Sequence, residues 1–306
     1  MTNTTRTAAG LFAAAALSLA PASVLAENSK RWSLDLKAGA QYDDNVTVEQ
    51  TDQTTGIADT SGVIEASVGY KLVKTDTSEL AVGYNFSQSL HAKQSNFDLQ
   101  SHSGSLSGSS KISGVTLGGS YYFYHLLLGG NDFLNMQLAT PSISGFVAPN
   151  LLVRGSYNYF DKNFKTANSH DATNQRPGID AMYFFDKSKA YISLGGNYEV
   201  ESAVGPEYDY KGYAATAALK LPLPVAGRQG RLKFEYTYSR RDYDNITASI
   251  SAKREEKRST YRANAEIPIA DCLSFDVEYK HVDRNSNLPI ANYNQNVIDG
   301  ALQFTF

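Results

Sequence analysis

One cysteine, Cys272, is all that the 306 residues contain, so no disulfide can form within the chain and its stability has another source. Long apolar runs are missing too: beyond the first 26 residues nothing approaches the roughly eighteen consecutive apolar residues of a membrane helix, and the mean hydropathy is below zero. Neither sign of charge predominates. With 28 basic and 31 acidic residues the net charge is −3, which excludes both the basic surface of a nucleic-acid-binding chain and the acidic excess of a disordered tail. There is no glycine-rich phosphate loop, no paired Cys or His at zinc spacing and no basic stripe. Hence neither a cofactor, a metal nor a nucleic acid is expected.

What the chain has in quantity is aromatic and small: 20 Tyr, 14 Phe and 23 Gly. Residues 1–26 carry Arg6 as their only charge, then a small apolar run from Ala8 to Ala20, Pro21 and the tripeptide Val24-Leu25-Ala26. These are the marks of a secretory signal peptide with a V-x-A cleavage site, leaving 27–306 as one mature domain. Removal of Arg6 brings the net charge to −4. An exported chain rich in Tyr, Phe and Gly, without disulfides or apolar helices, fits a transmembrane β-barrel, whose period-two pattern averages out in any hydropathy window.

Alternation bears this out along the chain. In the last ten residues Ile298, Leu302, Phe304 and Phe306 share one face while Asp299, Ala301, Gln303 and Thr305 share the other, because successive Cβ atoms point to opposite sides of a strand. Trp32, Leu34, Leu36, Ala38, Ala40 and Tyr42 alternate likewise, and two further runs around 64–72 and 79–87 flank the turn Thr75-Asp76-Thr77 as an antiparallel hairpin. Residues 97–111 are weaker, with Phe97, Leu99 and Leu106 marking a face; residues 133–147 require a bulge at Pro141. Strands also follow near 115–123, 151–159, 177–186, 190–201, 209–221, 229–243, 257–268, 272–284 and 295–306. The expected fold is therefore all-β: a transmembrane antiparallel up-and-down β-barrel of about 14 strands over residues 31–306, each of roughly nine to eleven residues.

Short turns near 74–77, 112–114, 148–150, 187–189, 222–229 and 269–271 alternate with longer polar segments near 44–60, 92–96, 126–132, 161–176, 202–208, 244–256 and 285–294. That asymmetry is the one of a Gram-negative outer-membrane barrel, and an even strand number places both termini in the periplasm. Outward tyrosines at strand ends (Tyr42, Tyr84, Tyr121, Tyr157, Tyr159, Tyr198, Tyr236, Tyr238 and Tyr279) suit the girdle where lipid and lipopolysaccharide meet water. Asp/Asn runs at 43–45, 161–163, 244–245 and 283–285 read as punctuation between strand and loop, since Asp and Asn bond their own backbone two residues on.

The terminal strand resembles the closing strand of bacterial outer-membrane barrels, which implies that Phe304 and Phe306 are read by the barrel-assembly machinery. Tyr42-Asp-Asp-Asn-Val46, Tyr238-Ser-Arg-Arg-Asp-Tyr-Asp-Asn245, Tyr279-Lys-His-Val-Asp-Arg284, Tyr293-Asn-Gln-Asn296 and the terminal Phe together resemble the barrel domain of surface lipoprotein assembly modifiers and related porin-like barrels. The resemblance implies fourteen strands in the outer membrane. It departs in one respect, since no helical repeat precedes the first strand here.

The parity opposite to the apolar faces lines the lumen: Arg154; Arg231, Lys233, Glu235 and Arg241; Arg258, Arg262 and Glu266; Asp276 and Glu278. Charges of both signs imply a wet interior. Fourteen strands lie between the eight that side chains can fill and the sixteen or more of open porins, so a narrow channel constricted by an inward loop is expected. With Arg231, Lys233, Arg241, Arg258 and Arg262 set against Glu235 and Glu266, that sector should be net positive and favour anions. His91, His102, His125, His170 and His281 are scattered, and no nucleophile converges with them at one rim, so an enzyme is not expected. The reading reached is a porin-like diffusion channel for small solutes; the alternative is an export or assembly barrel for a surface lipoprotein or polysaccharide.

Overall fold

The computed structural model describes residues 30–306, and the expected leader 1–26 lies outside them. In chain order the strands are β1 (Trp32–Asp43), the two-residue β2 (Thr47–Val48) and β3 (Gln53–Thr54), β4 (Asp59–Lys74), β5 (Ser78–His91), β6 (Leu99–Ile112), β7 (Val115–Leu128), β8 (Asn131–Ala148), β9 (Leu151–Phe164), β10 (Ala172–Phe185), β11 (Ala190–Ala203), β12 (Tyr210–Val225), β13 (Arg228–Thr247), β14 (Ala252–Ala270), β15 (Leu273–Ser286) and β16 (Tyr293–Thr305). All but β2 and β3 form one closed barrel in which each strand pairs with its sequence neighbour and β1 pairs with β16. Closure matters because a backbone group left unpaired against hydrocarbon costs several kcal/mol, and a barrel has no edge.

The seam between β1 and β16 is built by the residues that alternate most regularly. Leu36 stands opposite Phe304 and Tyr42 opposite Ile298. The backbone N–H of Phe306 donates to the carbonyl of Leu34 at 2.9 Å, so the last residue takes part in closing the ring. Ile298, Leu302, Phe304 and Phe306 are exposed on the outer face, while Asp299, Ala301 and Gln303 are buried on the inner one. Outward tyrosines bond sideways to amides on the next strand. Tyr121 Oη donates to Gln137 Oε1 at 2.7 Å, Tyr157 Oη to Gln175 Oε1 at 2.8 Å and Tyr279 Oη to Asn296 Oδ1 at 2.8 Å.

Several sequence expectations are corrected by this geometry. The strands run from 12 to 20 residues, longer than needed to cross the bilayer, because pairing continues beyond it as a hydrogen-bonded rim. Consequently three of the four Asp/Asn runs lie inside β9, β13 and β15; only Asp43 to Asn45 makes a turn, with the Asn45 N–H donating to Asp43 Oδ1 at 2.9 Å. The long segment expected near 126–132 is only a tight turn, with Gly129 and Gly130 both at positive φ (55° and 78°), which glycine adopts without a steric penalty. Pro222 and Pro224 lie within β12 rather than in a turn.

Phe97 and Leu99 pack inward while Leu106 is exposed outside, since positions 99 and 106 differ in parity. No bulge occurs at Pro141. Register toward β9 is the same on either side of it (Ala139 opposite Tyr159, Ser142 opposite Ser156), with the intervening rungs absent, and toward β7 Pro141 stands opposite Gly119. The missing N–H is thus accommodated by a gap in one ladder instead of a shift, and the irregularities fall elsewhere, at Leu126/Leu127 and Phe146/Ala148.

Candidate functional site

The connection from β1 to β4 leaves the wall and turns into the lumen. Its start is fixed by the wall itself: Gln295 Nε2 donates to Asp43 Oδ2 at 2.8 Å and to the Asn45 carbonyl at 3.1 Å. Asn45 Oδ1 then accepts from Thr54 Oγ1 (2.6 Å) and the Gly56 N–H (2.9 Å), pinching both ends of the loop together. Between them β2 and β3 pair as a miniature hairpin, and Glu49–Thr51 form a single 3-10 turn that ends on Asp52 at φ 55°.

Two kinds of contact hold this hairpin in place. On one side Val48 is buried in an apolar cluster of Tyr122, Leu126, Phe133, Leu134, Met136, Leu138, Phe160 and Phe164, all on β7, β8 and β9. An apolar patch on the inner face of a barrel is unusual, since lumens are ordinarily polar; here it is a dock for the loop. On the other side Glu49 accepts a bidentate pair from Arg258, Nη2 to Oε1 at 2.6 Å and Nη1 to Oε2 at 2.8 Å. Asp52 accepts from Arg254 Nη1 and from Arg284 Nη2, both at 2.7 Å. Forked guanidinium-to-carboxylate bonds are among the strongest polar contacts a protein makes.

Glu256 completes the arginine group, ion-paired to Arg254 and accepting from Arg284 at 2.9 Å. Arg254, Glu256 and Arg284 are only 2%, 4% and 4% exposed, a depth at which charges persist only when paired. Each arginine also lies over a tyrosine, Arg254 at 4.6 Å from the centre of Tyr243 and Arg284 at 5.8 Å from that of Tyr293. Burial alone would raise the carboxyl of Asp52, but Arg284 and Arg254 outweigh it and hold it down at about 2. Burial works the same way on Glu49, and Arg258 again wins, holding it well below the usual carboxylate range.

Around the same level the wall continues as a belt of ion pairs. Glu199 is shared by Arg176 (2.7 Å) and Arg241 (2.9 Å), and Glu201 pairs with Lys162 at 2.6 Å. Arg241 stands 4.6 Å from the centre of Tyr210, and Arg176 5.0 Å from that of Phe160. The loop separates two cavities of about 150 and 160 Å³, both touched by Glu49 and Gln50, one against Tyr210, Arg241 and Arg258 and the other against Gln41, Glu65 and Lys280. At about 10–15 Å³ of such space per water, each has room for several waters.

The residues singled out from sequence are distributed as follows. Arg241 and Arg258 belong to the belt and the loop dock. Below them Arg231 pairs with Glu266, and Glu235 accepts from Lys233 (2.7 Å) and Arg262 (3.2 Å). Asp276 accepts from Asn264 Nδ2 at 3.0 Å, and Lys37 lies 3.6 Å from Asp276 and 3.1 Å from Asp299. Glu278 is buried opposite Asn264, and Arg154 is buried opposite Asp180 on β10. The positive balance expected for this sector took only Glu235 and Glu266 as counter-charges. Glu199 from β11 and Glu49 from the loop supply two more, and neither is a neighbour in sequence.

Sequence reading missed Arg254, Glu256, Arg284, Arg176, Glu199, Glu49 and Asp52. For Arg254 and Glu256 a signal existed, since they share the parity of Arg258 and Arg262 and a longer β14 would have included them. Nothing in the sequence marked Glu49 and Asp52. Phe304 and Phe306 take no part in the lumen. Among the described residues no group of three or more His, Cys, Asp or Glu is placed to hold a metal ion.

The family model described as surface lipoprotein assembly modifier matches residues 25–306. No curated protein matches the sequence at a significant level. Among solved structures the chain is similar to a loop-L8 deletion mutant of OmpT, an outer membrane protein of Vibrio cholerae (10% identity, 90% of this chain and 100% of that one, TM-score 0.51). It is also similar to an anion-selective porin from Comamonas acidovorans (7% identity, 90% and 98%, TM-score 0.51) and to CdiB from Acinetobacter baumannii (10% identity, 91% and 60%, TM-score 0.50). At such identities these likenesses speak to the fold, an outer-membrane barrel.

Proposed function

Because the chain belongs to the surface lipoprotein assembly modifier family, we propose that its barrel assists the passage or display of a surface lipoprotein and rests in a closed state. The single observation that supports this most is the lumen hairpin with its paired anchors, Val48 in an apolar dock and Glu49 and Asp52 on three arginines. An inward loop can also narrow a diffusion channel, but one anchored on both walls suits a barrel that opens only for a polypeptide partner, because a permanently open passage would leak small solutes. In this reading residues 1–26 direct export and 27–306 form the working barrel, with no catalytic step.

The test is a deletion strain complemented with the full-length chain. Surface exposure of a co-expressed lipoprotein, read by protease shaving of intact cells, should fall on deletion and return on complementation. Purified barrel in planar bilayers should show little conductance. A large steady conductance, with lipoprotein display unchanged by deletion, would return the diffusion channel to first place.

A further inference from the structure

Without the hairpin, the wall at its ionic dock would present Arg254, Arg258 and Arg284 against the one carboxylate of Glu256. Arg258 would lose its ion pair, and Arg254 and Arg284 would share Glu256, an excess of two positive charges in a narrow passage where the field is focused. The hairpin supplies two carboxylates at that place, three residues apart on one tight turn. It also supplies an apolar side chain, Val48, adjacent to the first of them and seated on the opposite wall. The dock therefore recognises three features together: an apolar residue, a carboxylate next to it, and a second carboxylate one turn further on.

We propose that this dock is a binding site for an acidic polypeptide segment, and that the barrel's own Val48-Glu49-Gln50-Thr51-Asp52 occupies it as a resident surrogate until such a segment displaces it. The proposal rests on the reading of the barrel as a conduit for a polypeptide. The occupant is a peptide and not a phosphate group because a phosphate would engage the arginines yet leave the apolar dock of Phe160, Phe164, Leu134 and Met136 uncovered. An exchange of like for like keeps every buried charge paired throughout, which a simple outward swing of the loop would not. Arg258 is the discriminating member, as its forked contact with Glu49 is its one ion pair among the described residues, whereas Arg254 and Arg284 retain Glu256.

The experiment uses the full-length barrel in planar bilayers, with folding checked by heat-modifiable gel mobility. Glu49→Gln/Asp52→Asn should release the hairpin and raise the open fraction several-fold over the unaltered protein. A synthetic peptide with the sequence of residues 46–55, added from the loop side, should then close the pore. It should act at roughly tenfold lower concentration, or better, than the same peptide with Gln and Asn in place of its acids, since each charge-assisted contact is worth about that factor. Adding Arg258→Gln should shrink that difference to the share that Arg254 and Arg284 give the second acid. If the arginine change prevents folding, replacement of residues 47–54 by Gly-Gly in an otherwise unaltered barrel provides the vacant dock, and peptide binding is read there by fluorescence anisotropy. Equal potency of the acidic and neutral peptides, or block by inorganic phosphate or lipopolysaccharide with none by the peptide, would overturn the proposal. So would a closed pore in both loop variants. Because display of a lipoprotein on cells is scored separately, loss of the peptide effect with display intact refutes this site alone.

Discussion

Glu256 is the residue on which the buried arginines most depend. It is 4% exposed and, among the described residues, is the only wall carboxylate that reaches both Arg254 and Arg284. Glu256→Gln keeps the shape but removes the charge, leaving two guanidinium groups to share Asp52. Removing one partner of a buried pair costs about 3–5 kcal/mol, so the variant's midpoint in a denaturant-induced unfolding series should drop clearly; an unchanged midpoint would mean water enters the site freely. Phe306 lies at the other extreme, exposed on the outer face and hydrogen-bonded to β1 through its backbone. Phe306→Ala should leave the stability of folded protein nearly unchanged while reducing the amount recovered folded from outer membranes. Normal recovery would remove the argument for an assembly signal.

Among the elements, the lumen hairpin and the closing seam carry predictions of different kinds. Asp52 is held at about 2 against an ordinary value of about 3.9, so its contribution to docking is complete above about pH 4 and fades as pH falls toward 2; Glu49 is lowered too and acts in the same direction. Conductance should therefore stay low from neutral pH down to about 4 and rise only below it. Opening already near pH 6 would point to a different latch. At the seam, Gly39 on β1 faces β16 so closely that a Cβ there would run into the Gly300 carbonyl and Ala301. Gly39→Val should prevent closure, seen as loss of the compact, heat-modifiable band; a band of normal intensity would mean the two strands can separate without penalty.

Taken as a whole, the barrel carries its charge as a network, so selectivity must be asked of a pore whose hairpin has been released. In the Glu49→Gln/Asp52→Asn background, Arg231→Gln, Arg258→Gln and Arg262→Gln together would leave Glu266 without Arg231 and Glu235 with Lys233 alone. The reversal potential in a salt gradient should move toward cation preference, and the shift should shrink as salt rises and screens the wall. A fixed reversal potential in a conducting pore would make these arginines struts of the wall and no more. How much of this could be read from the chain divides by range. Period-two alternation is local, and it gave the strand number, the parity of inner and outer faces outside β6 and the outward terminal aromatics without any tertiary information, because a strand's side-chain period is a property of its own backbone. Strand ends were less legible. Asp-Lys-Asn in β9 or Lys-Arg-Glu-Glu in β14 has the composition of a loop, and only pairing with the neighbouring strand holds it extended past the membrane. Legibility stopped at contacts across the bore. Glu49 and Asp52 sit some two hundred residues from the arginines that bind them, and no periodicity links a loop to the wall opposite. The sequence determined a barrel with a charged interior and room for an inward loop; which segment enters, and what holds it, was decided only when closure of the ring brought the first loop, the β7–β9 apolar patch and the β14–β15 arginines to one level.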